Sequence, residues 1–163
     1  MSPPRDATAT PSHGSGTDPG TSGRTDLAAL LALLAFPWSV QVYDAGAPTL
    51  VFPWGLVGLD PIGVTTLLDF LFRYTAGLPE FVLAWPLGTV LYAAALASAA
   101  VGVATGHEDR RVTAGLLVVA GVTGLSLAGG FSVQPGRVAI PTGTALCAAV
   151  AWWRYRSAFA WAG

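Results

Sequence analysis

Two long stretches of this 163-residue chain contain no Asp, Glu, Lys or Arg: the 25 residues Phe81–Thr105 and the 22 residues Val112–Val133. A helix rises about 1.5 Å per residue and a bilayer's hydrocarbon core is about 30 Å thick, so either stretch can cross one. Two shorter stretches share the character. Leu27–Tyr43 reads LAALLALLAFPWSVQVY, and Val138–Trp153 reads VAIPTGTALCAAVAWW between Arg137 and Arg154. Arginine stems at such boundaries can snorkel to the headgroups. Together they predict an all-α fold, a four-transmembrane-helix bundle with spans 27–43, 81–105, 112–133 and 138–153. Pro37, Pro86 and Pro141 are expected to kink their helices near the ends.

The composition agrees with a membrane setting. The chain is 53% hydrophobic and 10% charged, against about 25% charged in an average soluble domain. One cysteine excludes a disulfide scaffold, and a net charge of −1 argues against nucleic acid as a partner. No lysine occurs, so no phosphate-binding Gly-Lys-Ser/Thr loop can exist.

The arginines give the orientation. With four spans, Arg5, Arg24, Arg110, Arg111, Arg154 and Arg156 fall on one side, and Arg73 and Arg137 on the other. The positive-inside rule then places the chain in the cell membrane with both termini cytoplasmic. Residues 1–26 hold 17 Ser, Thr, Pro or Gly and no branched aliphatic or aromatic residue, so a disordered tail is expected. Residues 157–163 form a short C-terminal tail after the membrane domain, 27–156. A rival reading makes the first stretch a signal peptide, with Ala45-Gly46-Ala47 as its cleavage site.

Residues 44–80 are too polar to span and too apolar for an ordinary loop. Asp60 is expected to cap a helix that Pro61 opens, running over residues 61–75 in the outer interface. Its polar stripe is Thr65, Asp69 and Arg73, with Asp69 and Arg73 in the favourable i,i+4 order. Asp60, Asp69, Arg73 and Glu80 form the candidate outer polar cluster. A helix cap and a local ion pair account for the same residues without a site.

Small residues recur four apart at Ala94, Ser98 and Gly102, at Ala120, Gly124 and Ala128, and at Ala139, Gly143, Cys147 and Ala151. Such faces let helices approach closely in lipid. The bilayer is the expected partner, and these faces also allow a homo-oligomer or a larger membrane complex. Trp38, Tyr43, Phe81, Trp85, Trp152, Trp153 and Tyr155 collect at span ends, as interfacial aromatics do.

No reactive constellation accompanies these features. No charge falls mid-span, which weighs against proton relays and ion-coupled carriers. Cys147 stands alone, and His13 and His107 lie outside the spans, so no catalytic residue, metal ligand or cofactor site is expected. Ser126, in Gly124-Leu125-Ser126, lacks a histidine base for hydrolysis. The expectation is a non-enzymatic accessory or scaffolding membrane component. The alternative is a small channel or carrier for a neutral solute, lined by Ser and Thr.

The runs Val51–Ala100 (VFPWGLVGLDPIGVTTLLDFLFRYTAGLPEFVLAWPLGTVLYAAALASAA) and Glu108–Gly121 (EDRRVTAGLLVVAG) resemble a small multi-pass integral membrane protein family of halophilic archaea. The resemblance covers about Leu27 to Arg156. It implies a membrane location and the helix count, and brings no activity, cofactor or site residue.

Overall fold

The computed structural model describes residues 19–73, 79–107 and 109–159. Helix α1 (Pro19–Ala32) continues through a 3-10 turn, Leu33–Ala35, and gives way to strand β1 (Ser39–Tyr43). Strands β2 (Thr49–Phe52), β3 (Gly55–Leu59) and β4 (Ile62–Thr66) follow, then helix α2 (Leu67–Arg73). A 3-10 turn, Glu80–Leu83, leads into α3 (Ala84–Thr105), which is followed by α4 (Arg110–Ser132), β5 (Arg137–Ile140) and α5 (Thr142–Phe159). The strands form one antiparallel sheet in the order β4-β3-β2-β1-β5.

The all-α four-span expectation is therefore overturned. Among the described residues, two helices are long and apolar enough to cross a membrane, Glu80–Thr105 and Arg110–Ser132. The other two stretches divide at their prolines. Pro37 has no N–H for the carbonyl of Leu33, and the preceding Phe36 is already extended at φ −101°, ψ 140°. Beyond it, Ser-Val-Gln-Val-Tyr alternates with period two and enters the sheet as β1. Arg137–Ile140 likewise becomes β5, and Pro141 separates it from α5. Charge-free length could not detect these breaks.

The helix expected over 61–75 is also corrected. Asp60 and Pro61, joined by a cis peptide bond, form the turn between β3 and β4. Gly63 and the β-branched Val64, Thr65 and Thr66 suit β4 better than a helix. The helix begins only at Leu67. There Thr66 Oγ1 accepts from Asp69 N at 3.1 Å and donates to Asp69 Oδ2 at 2.8 Å, a reciprocal cap three residues apart. The tail prediction fails for residues 19–26, which belong to α1; residues 1–18 lie outside the described residues.

The carbonyls released where α1 ends are taken up by aromatic side chains. Trp38 Nε1 donates to Leu33 O at 3.3 Å, the carbonyl that Pro37 leaves free. Trp54 Nε1 donates to Leu34 O at 3.0 Å, and Tyr92 Oη donates to Leu30 O. These bonds answer a general requirement, since buried helix-end carbonyls must find donors. They also tie α1 to the β2–β3 turn and to α3. On the other side of that turn, Trp85 Nε1 and Thr89 Oγ1 on α3 donate to Phe52 O and Pro53 O at 3.0 and 2.9 Å.

The helices bury small side chains against one another. On α3 the buried residues are Trp85, Gly88, Tyr92, Ala95, Ala99 and Gly102, an alternating three-and-four spacing that marks one helix face. Of the sequence face, Gly102 is buried, Ser98 half-buried and Ala94 exposed. Of the expected face Ala139, Gly143, Cys147 and Ala151, the last three are buried on one side of α5, while Ala139 lies on β5; Tyr155, expected at the interface, is buried beside them. Gly121 on α4 meets this face so closely that an added Cβ would lie 3.3 Å from Cys147 Cβ. Gly106, with φ +72°, closes α3, and Asp109 caps α4 by accepting from the amides of Arg111 and Val112.

Candidate functional site

The sheet is inverted relative to what water would select. An antiparallel sheet with one solvated face normally turns apolar residues to the core and polar ones outward. Here the register places Ser39, Gln41, Tyr43, Thr49, Val51, Arg137 and Ala139 on the face toward α3 and α4. The opposite face carries Val40, Val42, Leu50, Val138 and Ile140 on β1, β2 and β5, and Val57, Leu59, Ile62 and Val64 on β3 and β4. Of these, Ile62 is 85% exposed, Val64 61% and Val138 57%.

The core beneath the sheet is thin. Its buried side chains are Val51, Trp85 and Leu127, with Leu56, Leu67, Phe70, Phe81 and Phe131 packed partly around them. A cavity of about 390 Å³ lies among these groups, within the usual range of small-molecule pockets. Its apolar wall comes from β2, β3, α2, the Glu80–Leu83 turn, α3 and α4, with Phe81 and Phe131 meeting edge to face at a centroid distance of 5.2 Å.

Its polar wall is a row across neighbouring strands. Gln41 is only 6% exposed, and its side chain accepts from Tyr43 Oη at 2.8 Å, the one side-chain hydrogen bond it makes among the described residues. Arg137, opposite Tyr43 in the register, holds Cζ 5.8 Å from the Tyr43 ring centroid. Thr49, opposite Gln41, and Gln134 complete the row. Among the described residues, no carboxylate lies within 4.0 Å of the Arg137 guanidinium. The cavity thus combines an aromatic interior with one cation and amide and hydroxyl groups among the described residues.

The four residues of the expected outer cluster are not assembled into a site. Asp69 and Arg73 form the anticipated i,i+4 pair at 3.9 Å, with both side chains exposed. Asp60 is exposed in the β3–β4 turn, and Glu80 is exposed at the start of the turn preceding α3. No ion pair joins either to Asp69 or Arg73 among the described residues. Apolar length does not reveal the cavity row, because it puts Gln41 and Tyr43 inside the span expected over 27–43 and Arg137 at the boundary of the one expected over 138–153. The alternation of Ser39-Val40-Gln41-Val42-Tyr43 was the available signal.

At the opposite end of the helices, Asp26 on α1 is 2% exposed. Arg154 on α5 donates from Nε to its Oδ1 at 2.5 Å, and Arg110 on α4 places a guanidinium nitrogen 3.8 Å from Oδ2. This cluster joins three helices electrostatically. The helical hydroxyls are also engaged: Ser98 and Thr113 bond to each other at 2.9 Å, while Thr123 and Thr144 donate to the carbonyls of Ala120 and Gly121. No group of three metal-ligating side chains occurs among the described residues.

A family model described as a domain of unknown function (DUF8050) matches residues 7–162. No curated protein matches the chain.

Proposed function

Taking as its premise that the chain belongs to the DUF8050 family, a domain of unknown function, we propose that it is an integral protein of the cell membrane. Helices α3 and α4 cross the bilayer with α1 and α5 packed along them between the sheet end and the opposite end, and the sheet occupies the outer interface. The chain acts there as a non-enzymatic accessory component. The observation behind this reading is the exposure of apolar surface on both long helices. Only 28% of the α3 window and 39% of the α4 window is buried inside the molecule. A core helix of a water-soluble protein would hide most of such a window. Leu87, Val90 and Val101 on α3, and Val112, Val119, Val122 and Leu125 on α4, instead face outward.

The inverted sheet supports the same setting, because its outward face is apolar apart from Thr66 at the end of β4. It belongs in the interface and not deeper, since the outer edge of β4 leaves backbone groups that hydrocarbon could not satisfy. Arg24, Arg110, Arg111, Arg154 and Arg156 gather at the end of the helices away from the sheet, a bias that supports a cytoplasmic setting for that end under the positive-inside rule. The carrier alternative has less behind it, because the hydroxyls of Ser98, Thr113, Thr123 and Thr144 are committed to helix–helix and backbone bonds.

Two measurements test the proposal. The chain should stay in the pellet after alkaline carbonate extraction of native membranes, and should co-purify in mild detergent with a stoichiometric protein partner. Release into the carbonate supernatant would defeat the membrane assignment. Solute flux through vesicles containing the chain alone would replace the accessory role with the carrier.

A further inference from the structure

We propose that the cavity beneath the sheet binds an anionic amphiphile. Its acidic head lies at Arg137, and its apolar body lies among Phe70, Phe81, Trp85, Leu127 and Phe131. The membrane reading enters only as the route of supply, from the outer leaflet beside the sheet. The ligand chemistry itself follows from the lining.

Three features of the lining select this class. The interior is aromatic and aliphatic, which favours a hydrocarbon body over a sugar or a free ion. Among the described residues Arg137 is the one charged residue in the lining; the Asp44 carboxylate lies beside Gly136 and outside the lining. A guanidinium next to a low-dielectric cavity favours a carboxylate or phosphate, which it can hold with charge-assisted bonds. The third feature is Gln41, more than nine-tenths buried on the cavity wall, whose side chain makes a single hydrogen bond among the described residues, to Tyr43. A buried primary amide has two N–H donors to satisfy, and an anionic head at this position would accept from them.

The position of these groups is set by the fold. Gln41 and Tyr43 are two apart on β1 and share a face, while the β1–β5 register puts Arg137 directly opposite Tyr43. The Arg137 to Tyr43 ring contact and the Tyr43 to Gln41 hydrogen bond link the three in one row. In a sheet that merely capped the helices, these positions would be the natural ones for valine and isoleucine. The chain places those residues on the outward face.

The test uses the full-length chain purified in a nonionic detergent, with tryptophan fluorescence read against bromine-bearing probes that quench on contact. Trp85 lines the cavity. An omega-bromoundecanoate should quench saturably, and Trp85→Phe should remove most of that component. The matching bromo-alcohol and bromo-alkylammonium should bind about tenfold more weakly, the scale expected from losing one hydrogen bond to a charged group. Arg137→Gln should bring the carboxylate to the level of the alcohol, and Arg137→Lys should restore part of the difference.

A brominated phosphatidylglycerol in lipid nanodiscs identifies the source. Quenching there assigns the head to a bilayer lipid, whereas quenching only by the free carboxylate assigns it to a soluble amphiphile. Equal affinity for carboxylate, alcohol and ammonium on the unmodified chain would overturn the proposal, as would absence of quenching in every arm. That comparison needs no variant, so misfolding of a substituted chain cannot obscure it. Carbonate extraction judges the membrane reading independently.

Discussion

Removing Arg154 should destabilise the protein more than removing the carboxylate it binds. Asp26 is 2% exposed, whereas the side chains of Arg154 and Arg110 keep 23% and 41% of their surface. In Arg154→Ala the buried carboxylate is left with Arg110 alone, 3.8 Å away. Stranding a buried charge in this way costs about 3–5 kcal/mol. In Asp26→Ala the two arginines can turn toward water or headgroups. The loss is then that of one charge-assisted hydrogen bond, about 1.5–3 kcal/mol.

A chain of this size loses about 2–4 °C of melting temperature per kcal/mol. Arg154→Ala should therefore lower the midpoint on the order of 10 °C, and Asp26→Ala by roughly half as much. The double variant should melt above Arg154→Ala, because removing the stranded charge recovers part of the loss. Thermal unfolding of the detergent-solubilised chain, followed by circular dichroism, measures all three. A larger effect for Asp26→Ala, or a double variant equal to the sum of the singles, would refute this account of the cluster.

Three further predictions follow from close contacts and caps. Gly143→Ala puts a Cβ about 2.7 Å from Trp38 Cβ and should cost about 1–3 kcal/mol, whereas Gly129→Ala meets nothing within 4 Å and should be neutral or slightly stabilising, so equal melting shifts would contradict the packing described. Thr66→Ala should cost about 0.5–2 kcal/mol through loss of the α2 cap. Amide exchange should speed up first in Leu67–Arg73, and uniform acceleration would place the effect elsewhere. Cys147, fully buried between α4 and α5, should resist a small maleimide in the folded chain and react once the chain is denatured; rapid labelling of the native protein would mean that α5 does not seat on α4.

The parts of the fold visible in the sequence were those governed by one long-range property, charge-free apolar length. Phe81–Thr105 and Val112–Val133 are helices close to those bounds, and Asp69 and Arg73 pair as their spacing requires. The remainder was decided by local chemistry that an apolar count averages away. Pro37 and Pro141 each end one kind of backbone and begin another, and the alternating Ser-Val-Gln-Val-Tyr segment becomes a strand inside what reads as a helix. Asp26 looked like part of a polar tail because its partners lie 84 and 128 residues away in sequence. Gln41, Tyr43 and Arg137 could be joined only by strand register, which no spacing along the chain reveals.

The central claim, that α3 and α4 cross the bilayer with the sheet outside, is tested most directly by cysteine accessibility in intact cells after replacing Cys147. Ala47 lies between β1 and β2 at the sheet end, and Gly106 lies in the turn joining α3 to α4. A membrane-impermeant thiol reagent should label a cysteine at Ala47 and miss one at Gly106 until the membrane is opened. Labelling of Gly106 with protection of Ala47, or equal labelling of both in intact cells, would contradict it.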